Sequence, residues 1–421
     1  MNKVINFLAS RRRFFSFSLL RVASMVLGLA SNIFIVRKLS VEDFGIFSVA
    51  LLVVNLITTF GFSWSSSSIL YYGSREKEKY GSINKTFWAR NIIIFFSLII
   101  ITIGIILFRH QIDNYIGLNI WFLLLIWLYV SVIENYLNQY FLAIKKQITS
   151  SMLSITAKVI YIGLIILLPF DVTTLIIIYI VSHASVIFYS LGINRKDING
   201  FEFDRSWFKE VLNFSLWQLF GFAGVYLLNF GDTAVVKYFM TNKEVGIYNA
   251  AYQLFNAIAS FSFVISSYYA SSLSGYFAGN NYKKVSQFFY KERLFIFIAS
   301  IVAHLLVIAL SKPIITTLYG AKYVDTVQIF NLLMLGSMIR YITVFYMLYY
   351  NTNGKHQIQQ IINILIAIVN VGLSIIFIKL FGLKGPAIAT VITLLLSLVY
   401  SAFYCEKQIS RFIKEGENSS F

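Results

Sequence analysis

Runs of eighteen or more largely apolar residues recur along the whole chain, separated by short polar stretches. Examples are NIIIFFSLIIITIGIILF (91–108) and WFLLLIWLYVSVIENYLNQYFL (121–142). Apolar residues fill these windows on all sides rather than along one stripe, and such a run is long enough to cross a bilayer as a helix. The pattern predicts twelve spans, near 14–36, 44–70, 88–108, 119–142, 152–169, 173–193, 210–236, 246–272, 294–311, 327–350, 358–379 and 386–404. The longest connection, NRKDINGFEFDRSWFK (194–209), reads as a hinge between two halves of six spans, residues 1–200 and 201–421. The expected fold is all-α and polytopic.

The pattern also repeats. GIFSVALLVVNLITTFGFSWSS (45–66) and GIYNAAYQLFNAIASFSFVISS (246–267), offset by 201, share nine of 22 positions, among them Gly45/Gly246, Asn55/Asn256 and Phe60/Phe261. KKQITSS (145–151) and KHQIQQI (355–361) form a weaker echo. Shared Gly, Asn and Ser are not what apolar composition alone would align. Six spans separate each pair, so the copies run the same way through the membrane, and two parallel six-helix lobes are expected. In such an architecture the substrate site lies between the lobes and is exposed to each side in turn.

Composition narrows the class. The 421 residues are 58% hydrophobic and 13% charged, too little polar surface for a soluble protein of this size. The single cysteine, Cys405, excludes an internal disulfide, and the four histidines show no metal-ligand spacing. No cofactor or metal is expected. The N-terminal MNKVINFLASRRRFF reads as the start of a retained first helix, not a cleaved signal. The net charge of +17 is mostly topology: with the N-terminus inside, the inner segments hold 22 lysines and arginines and the outer loops nine. Both termini are then cytoplasmic, and nucleic acid drops out as a partner.

Charges inside spans are candidates for a site, since they face a bundle interior or cavity. Arg21 lies about 10 Å into its span, Lys158 about 9 Å, Glu134 about 12 Å and Arg340 about 15 Å, all in the cytoplasmic half. Together they would form a net positive site, Arg340 being deepest. Lys158 and Arg21 could instead snorkel, Glu134 could be their structural partner, and Arg90 is expected to snorkel. Asp232, five residues before Lys237 near the outer end of its span, reads as a local ion pair or a loop-side carboxylate, or else as a charge that binds a coupling cation or gates the outer mouth. Asn249, Tyr252 or Gln253, Asn256 and Ser260 recur at helical steps and form one polar face, suited to sugar hydroxyls or to a neighbouring helix. His183 and His304 receive no role.

LSVEDFGIFSVALLVV (39–54), an arginine in the first span and NVGLSIIFIKLFGLKGPAIATVIT (370–393) resemble Wzx-type flippases. These are the polysaccharide-export members of the multidrug/oligosaccharidyl-lipid/polysaccharide (MOP) superfamily. FGLKGPAIAT is the most specific part, although Pro386 stands where the family more often has a small residue. The resemblance implies twelve helices in two lobes around a cationic central cavity. It implies transfer of an undecaprenyl-pyrophosphate-linked oligosaccharide from the inner to the outer leaflet of a bacterial inner membrane, alongside the polymerase and chain-length machinery. A proton or sodium ion would drive the cycle, and Arg21 matches the cationic position of the first helix. The rival readings are a cation-coupled drug exporter of the same superfamily, a lipid II flippase, and a polysaccharide polymerase or ligase. No outer loop is long enough to hold a catalytic site, so an enzyme is not expected.

Overall fold

A computed structural model of the chain describes residues 12–193, 200–352 and 356–418, and among these every regular element is helical, with no strand. The N-terminal eleven residues, the start of the expected hinge (194–199) and Lys355 of the weaker echo lie outside the described residues. Ten helical ranges are long and apolar enough to cross a membrane. We label the long helices α1 (Arg12–Lys38), α2 (Val41–Gly61), α3 (Asn84–Leu107), α4 (Trp121–Ala143), α5 (Gln147–Leu167) and α6 (Val172–Ile193). They continue as α7 (Arg205–Phe239), α8 (Asn242–Ala278), α9 (Arg293–Ala309), α10 (Thr326–Thr352), α11 (His356–Phe381) and α12 (Gly385–Asn418). One of the ten ranges, Gln360–Glu415, contains most of both α11 and α12, and α8 is not among the ten. Large apolar side chains such as Phe95, Phe96, Ile100 and Leu107 stand exposed along α3, a surface suited to lipid rather than water.

The chain divides into two compact units, Met1–Tyr226 and Leu227–Phe421, the division falling within α7. In the first unit α1 packs on α5, α5 on α6, α6 on α4 and α4 on α2. In the second, α8 packs on α10, α10 on α12 and α12 on α11, while Ser374 of α11 bonds Asp232 of α7. The same pairing scheme is therefore used inside each unit. A short helix also follows α3 (Arg109–Ile116) and α9 (Ser311–Tyr319), each closed by a left-handed or positive-φ glycine, Gly117 and Gly320.

The repeated stretch begins before its shared glycine. Ser40 caps α2, accepting from the Asp43 amide at 3.0 Å and donating to the Asp43 carboxylate at 2.7 Å. Thr241 and Glu244, 201 residues on, form a full capping box on α8. The copies then part. A single span over 44–70 was expected, but α2 ends at Phe62 and passes through a 3₁₀ turn (Ser63–Ser65) into a π-turn (Ile69–Gly73). Ser65, Ser66 and Ser68 each return their hydroxyl to the carbonyl three residues back, which competes with regular α-helical pairing. The second copy lacks that serine run and stays helical through Ala278.

Two local devices fix the joints. Glu76, 2% exposed, accepts the amides of Lys85 (2.8 Å) and Thr86 (2.9 Å) and so caps α3 from a distance. Glu76→Ala removes two charge-assisted bonds from a buried helix start and is expected to destabilise the chain by about 1–3 kcal/mol, read as a lowered thermal midpoint in detergent. The GLKGP sequence turns α11 into α12. Gly382 adopts φ +62°, and a Cβ on Gly385 would fall on the Phe377 carbonyl group of α11. Pro386 occupies the first turn of α12, where no N–H is needed. Gly385→Ala must push the two helix backbones apart, and a loss of folded protein, measured by size-exclusion monodispersity, is the expected result.

Candidate functional site

In the second unit the polar centre is Asp232 on α7, 7% exposed. One carboxylate oxygen accepts the Ser374 hydroxyl of α11 (2.8 Å). The other accepts Tyr248 of α8 (2.8 Å) and Thr390 of α12 (2.6 Å). Asn370 donates to Thr390 at 3.2 Å, and Thr233, next to Asp232, donates to Asn249 at 3.1 Å. Four helices thus meet on one buried carboxylate held by hydroxyls, with no cation paired to it among the described residues. The local pair with Lys237 does not form: five residues turn about 140° round a helix, and Lys237 instead donates to Asn242 at 2.6 Å.

One step from this centre lies a narrow cavity lined by Arg340, Tyr252, Asn370, Thr390 and Thr393. Thr390 belongs to both, bonding Asp232 and lining the cavity. The Arg340 guanidinium lies 5.5 Å from the Phe263 ring and within electrostatic reach of Tyr252. Among the described residues it has no carboxylate partner. A cation that cannot shed its proton therefore faces hydroxyls and an amide in an apolar surround. Tyr252 donates to the Leu228 carbonyl at 3.1 Å, so its hydroxyl is fixed by α7. Gln253 and Asn256 are half-buried further round α8, and Ser260 donates to the Asn256 carbonyl. The face read from spacing is divided: Asn249 serves the α7 contact and Tyr252 the cavity.

In the first unit α1, α4, α5 and α6 bring Arg21, Glu134, Lys158 and His183 together. The Lys158 ammonium donates to the Ser24 carbonyl (2.9 Å) and hydroxyl (2.8 Å) on α1. It does not snorkel, because two of its three protons are satisfied inside the unit. Glu134 and the exposed Arg21 lie within its electrostatic reach. His183, which sequence reading left without a role, places Nε2 3.8 Å from the Glu134 carboxylate and stacks on Tyr179 at 3.8 Å. Its Nδ1 faces the Tyr179 carbonyl at 2.9 Å, and a carbonyl can only accept. That fixes the Nδ1–H tautomer, so a proton on Glu134 or on Nε2 is needed to bring the two facing atoms into favourable contact. The spacing of Tyr179 and His183, one helical turn apart on α6, was the available signal. His304 is a packing residue, bonded to Ser300 and, at 2.9 Å, to Ser337.

Arg90 corrects an expectation. It does not snorkel to the headgroups but is 2% exposed, its guanidinium 4.6 Å from the Tyr136 ring. Six residues into α3, it sits on the buried face with Thr86, Ile93 and Ile94, which packing directs inward.

A family model described as polysaccharide biosynthesis protein matches residues 10–269, more than half of the chain. The chain belongs to the polysaccharide biosynthesis protein family. No curated protein sequence matches it. Among solved structures, this family member is similar to a multidrug resistance MATE family transporter of the MOP superfamily in an inward-facing conformation. The TM-score is 0.71 at 17% identity, covering 93% of this chain and 96% of that one. The lipid II flippase MurJ, inward closed, gives 0.69 at 20% identity, covering 95% and 90%. A MOP superfamily transporter from Pyrococcus furiosus, described by a binding pocket of reverse polarity, gives 0.55 at 16%, covering 95% and 93%. The chain thus has the MOP superfamily fold. Among its described residues no group of three or more His, Cys, Asp or Glu is placed to hold a metal ion.

Proposed function

We propose that the chain is a flippase, a transporter and not an enzyme. It carries an undecaprenyl-pyrophosphate-linked oligosaccharide unit from the inner to the outer leaflet of a bacterial inner membrane by alternating access. The observation that carries this reading is Arg340: a half-buried arginine that among the described residues has no carboxylate partner and faces a cavity of hydroxyls and an amide. Arginine binds pyrophosphate oxygens through directed, charge-assisted bonds, and hydroxyls and amides suit sugars. Arg21 and Lys158 supply a second cationic set, with Glu134 tempering it, and Asn249, Tyr252, Gln253 and Asn256 supply the sugar-side groups. In this proposal the chain crosses twelve times in two six-helix lobes, residues 1–200 and 201–421, with both termini cytoplasmic. Each negative charge carried outward then gains about 2.3 kcal/mol per 100 mV of inside-negative potential.

Asp232 is the coupling site in the same reading, with a proton or sodium ion as the driving cation and Lys237 at the adjacent mouth. Its hydroxyl ring supports this, because each hydroxyl can turn from donor to ligand when a cation arrives. The polymerase and chain-length machinery would receive the product.

Complementation tests the class. Expression in a flippase-null strain is expected to restore surface polysaccharide without changing sensitivity to cationic drugs. Drug resistance with no restored polysaccharide would instead identify a drug exporter of the same fold.

A further inference from the structure

Arg90 is a charge that neither candidate cluster absorbs. Its Nε and Nη1 are enclosed and among the described residues have no hydrogen-bond partner. Its neighbours are apolar: Ala89 and Ile93 pack with Val211 of α7, and Ile94 packs in the cluster that holds Ile69 and Tyr136. Arginine stays protonated there, and the face of one tyrosine offsets only part of the cost of burying the charge.

The second unit contains the same construction with its anion in place. Arg293 of α9 lies 5.0 Å from the Tyr346 ring of α10, as Arg90 of α3 lies over Tyr136 of α4. Arg293 Nη2, however, donates to the Glu406 carboxylate of α12 at 2.6 Å, and Tyr346 donates to the same oxygen at 2.7 Å. Among the described residues of the first unit no carboxylate takes that part. The arginine–tyrosine pair has been kept twice and its anion once.

We propose that Arg90 is a phosphate-binding site. A phosphate would supply an acceptor for these enclosed N–H groups and the negative charge that Glu406 supplies to Arg293. Its level in the membrane fits a phosphate as well. Arg90 is six residues, about 9 Å, beyond the start of α3. That start is ringed by Trp88, Trp207 and Tyr72, with Trp88 Nε1 bonded to the Gly200 carbonyl and Trp207 Nε1 to Thr86. Such a belt marks the headgroup boundary, so Arg90 lies just beneath the lipid phosphates. The site stands apart from Arg340, Arg21 and Lys158 and does not depend on the export reading.

Native mass spectrometry of the full chain, released from detergent after exposure to phosphatidylglycerol, diacylglycerol or inorganic phosphate, tests it. The wild type is expected to retain phosphatidylglycerol over diacylglycerol, and Arg90→Met to hold it at least tenfold more weakly. Arg90→Lys, which keeps the charge and loses the planar guanidinium donors, serves should the first variant not fold, and is also expected to bind more weakly. Glu406→Ala strips Arg293 of its partner and is expected to retain one further phosphate-bearing molecule. Retention of inorganic phosphate alone, lost with Arg90, supports the site and makes the ligand a free anion. Equal retention by the wild type and both Arg90 variants, or no phosphate-dependent retention by the wild type, overturns the proposal.

Discussion

Arg340→Ala is expected to abolish surface polysaccharide in complemented cells while the amount of folded protein in the membrane stays unchanged. The two halves of that result have separate causes. Truncating a desolvated charge that pairs with a ligand costs about 2–5 kcal/mol, a loss of roughly 30-fold to several-thousand-fold in binding. An arginine that held the fold together would take stability with it. Arg340 forms no ion pair among the described residues, so its removal unpairs no carboxylate and relieves a desolvation cost. Polysaccharide measured by gel staining, together with the detergent melting curve, separates the outcomes. Normal polysaccharide removes Arg340 from the mechanism, and a lost fold makes it structural. Arg21→Ala, on α1 of the first unit, is expected to act in the same direction.

Asp232→Asn is expected to stop export with the melting curve nearly unchanged, and Asp232→Ala to stop export and unfold the protein more readily. Asparagine keeps one acceptor oxygen and offers an amide to hydroxyls that can rotate, so the ring around Tyr248, Ser374 and Thr390 can close again. What it loses is the charge a coupling cation needs. Alanine leaves the Tyr248 and Ser374 hydroxyls, both fully enclosed, without an acceptor, at about 1–3 kcal/mol each. Export by Asp232→Asn at the wild-type rate would show that the carboxylate only organises four helices.

The helical fold was legible because lipid demands long apolar runs whatever the tertiary packing. The repeat was legible for a related reason: Ser40 and Asp43 recur as Thr241 and Glu244, and a cap works through local spacing alone. The break at Phe62 was less so. It depends on how the hydroxyls of Ser65, Ser66 and Ser68 divide between backbone carbonyls, which hydropathy does not weigh. Among the charges, depth along a span singled out Arg21, Glu134, Lys158 and Arg340 but not direction round the helix. For that reason Arg90 reads as a snorkelling residue and is buried, while the pair of Asp232 with Lys237, one of the readings the spacing allows, does not form. His183 gained its place beside Glu134 only through the packing of α6 on α4.

The most direct measurement is transfer of a labelled undecaprenyl-pyrophosphate-linked oligosaccharide across proteoliposomes holding the purified chain, read by the fraction that an impermeant sugar-binding protein can reach. The account predicts that the accessible fraction rises with the wild type and stays at the protein-free level with Arg340→Ala. A wild type that leaves the glycolipid where it was, while moving a cationic dye across the same membrane, would contradict it.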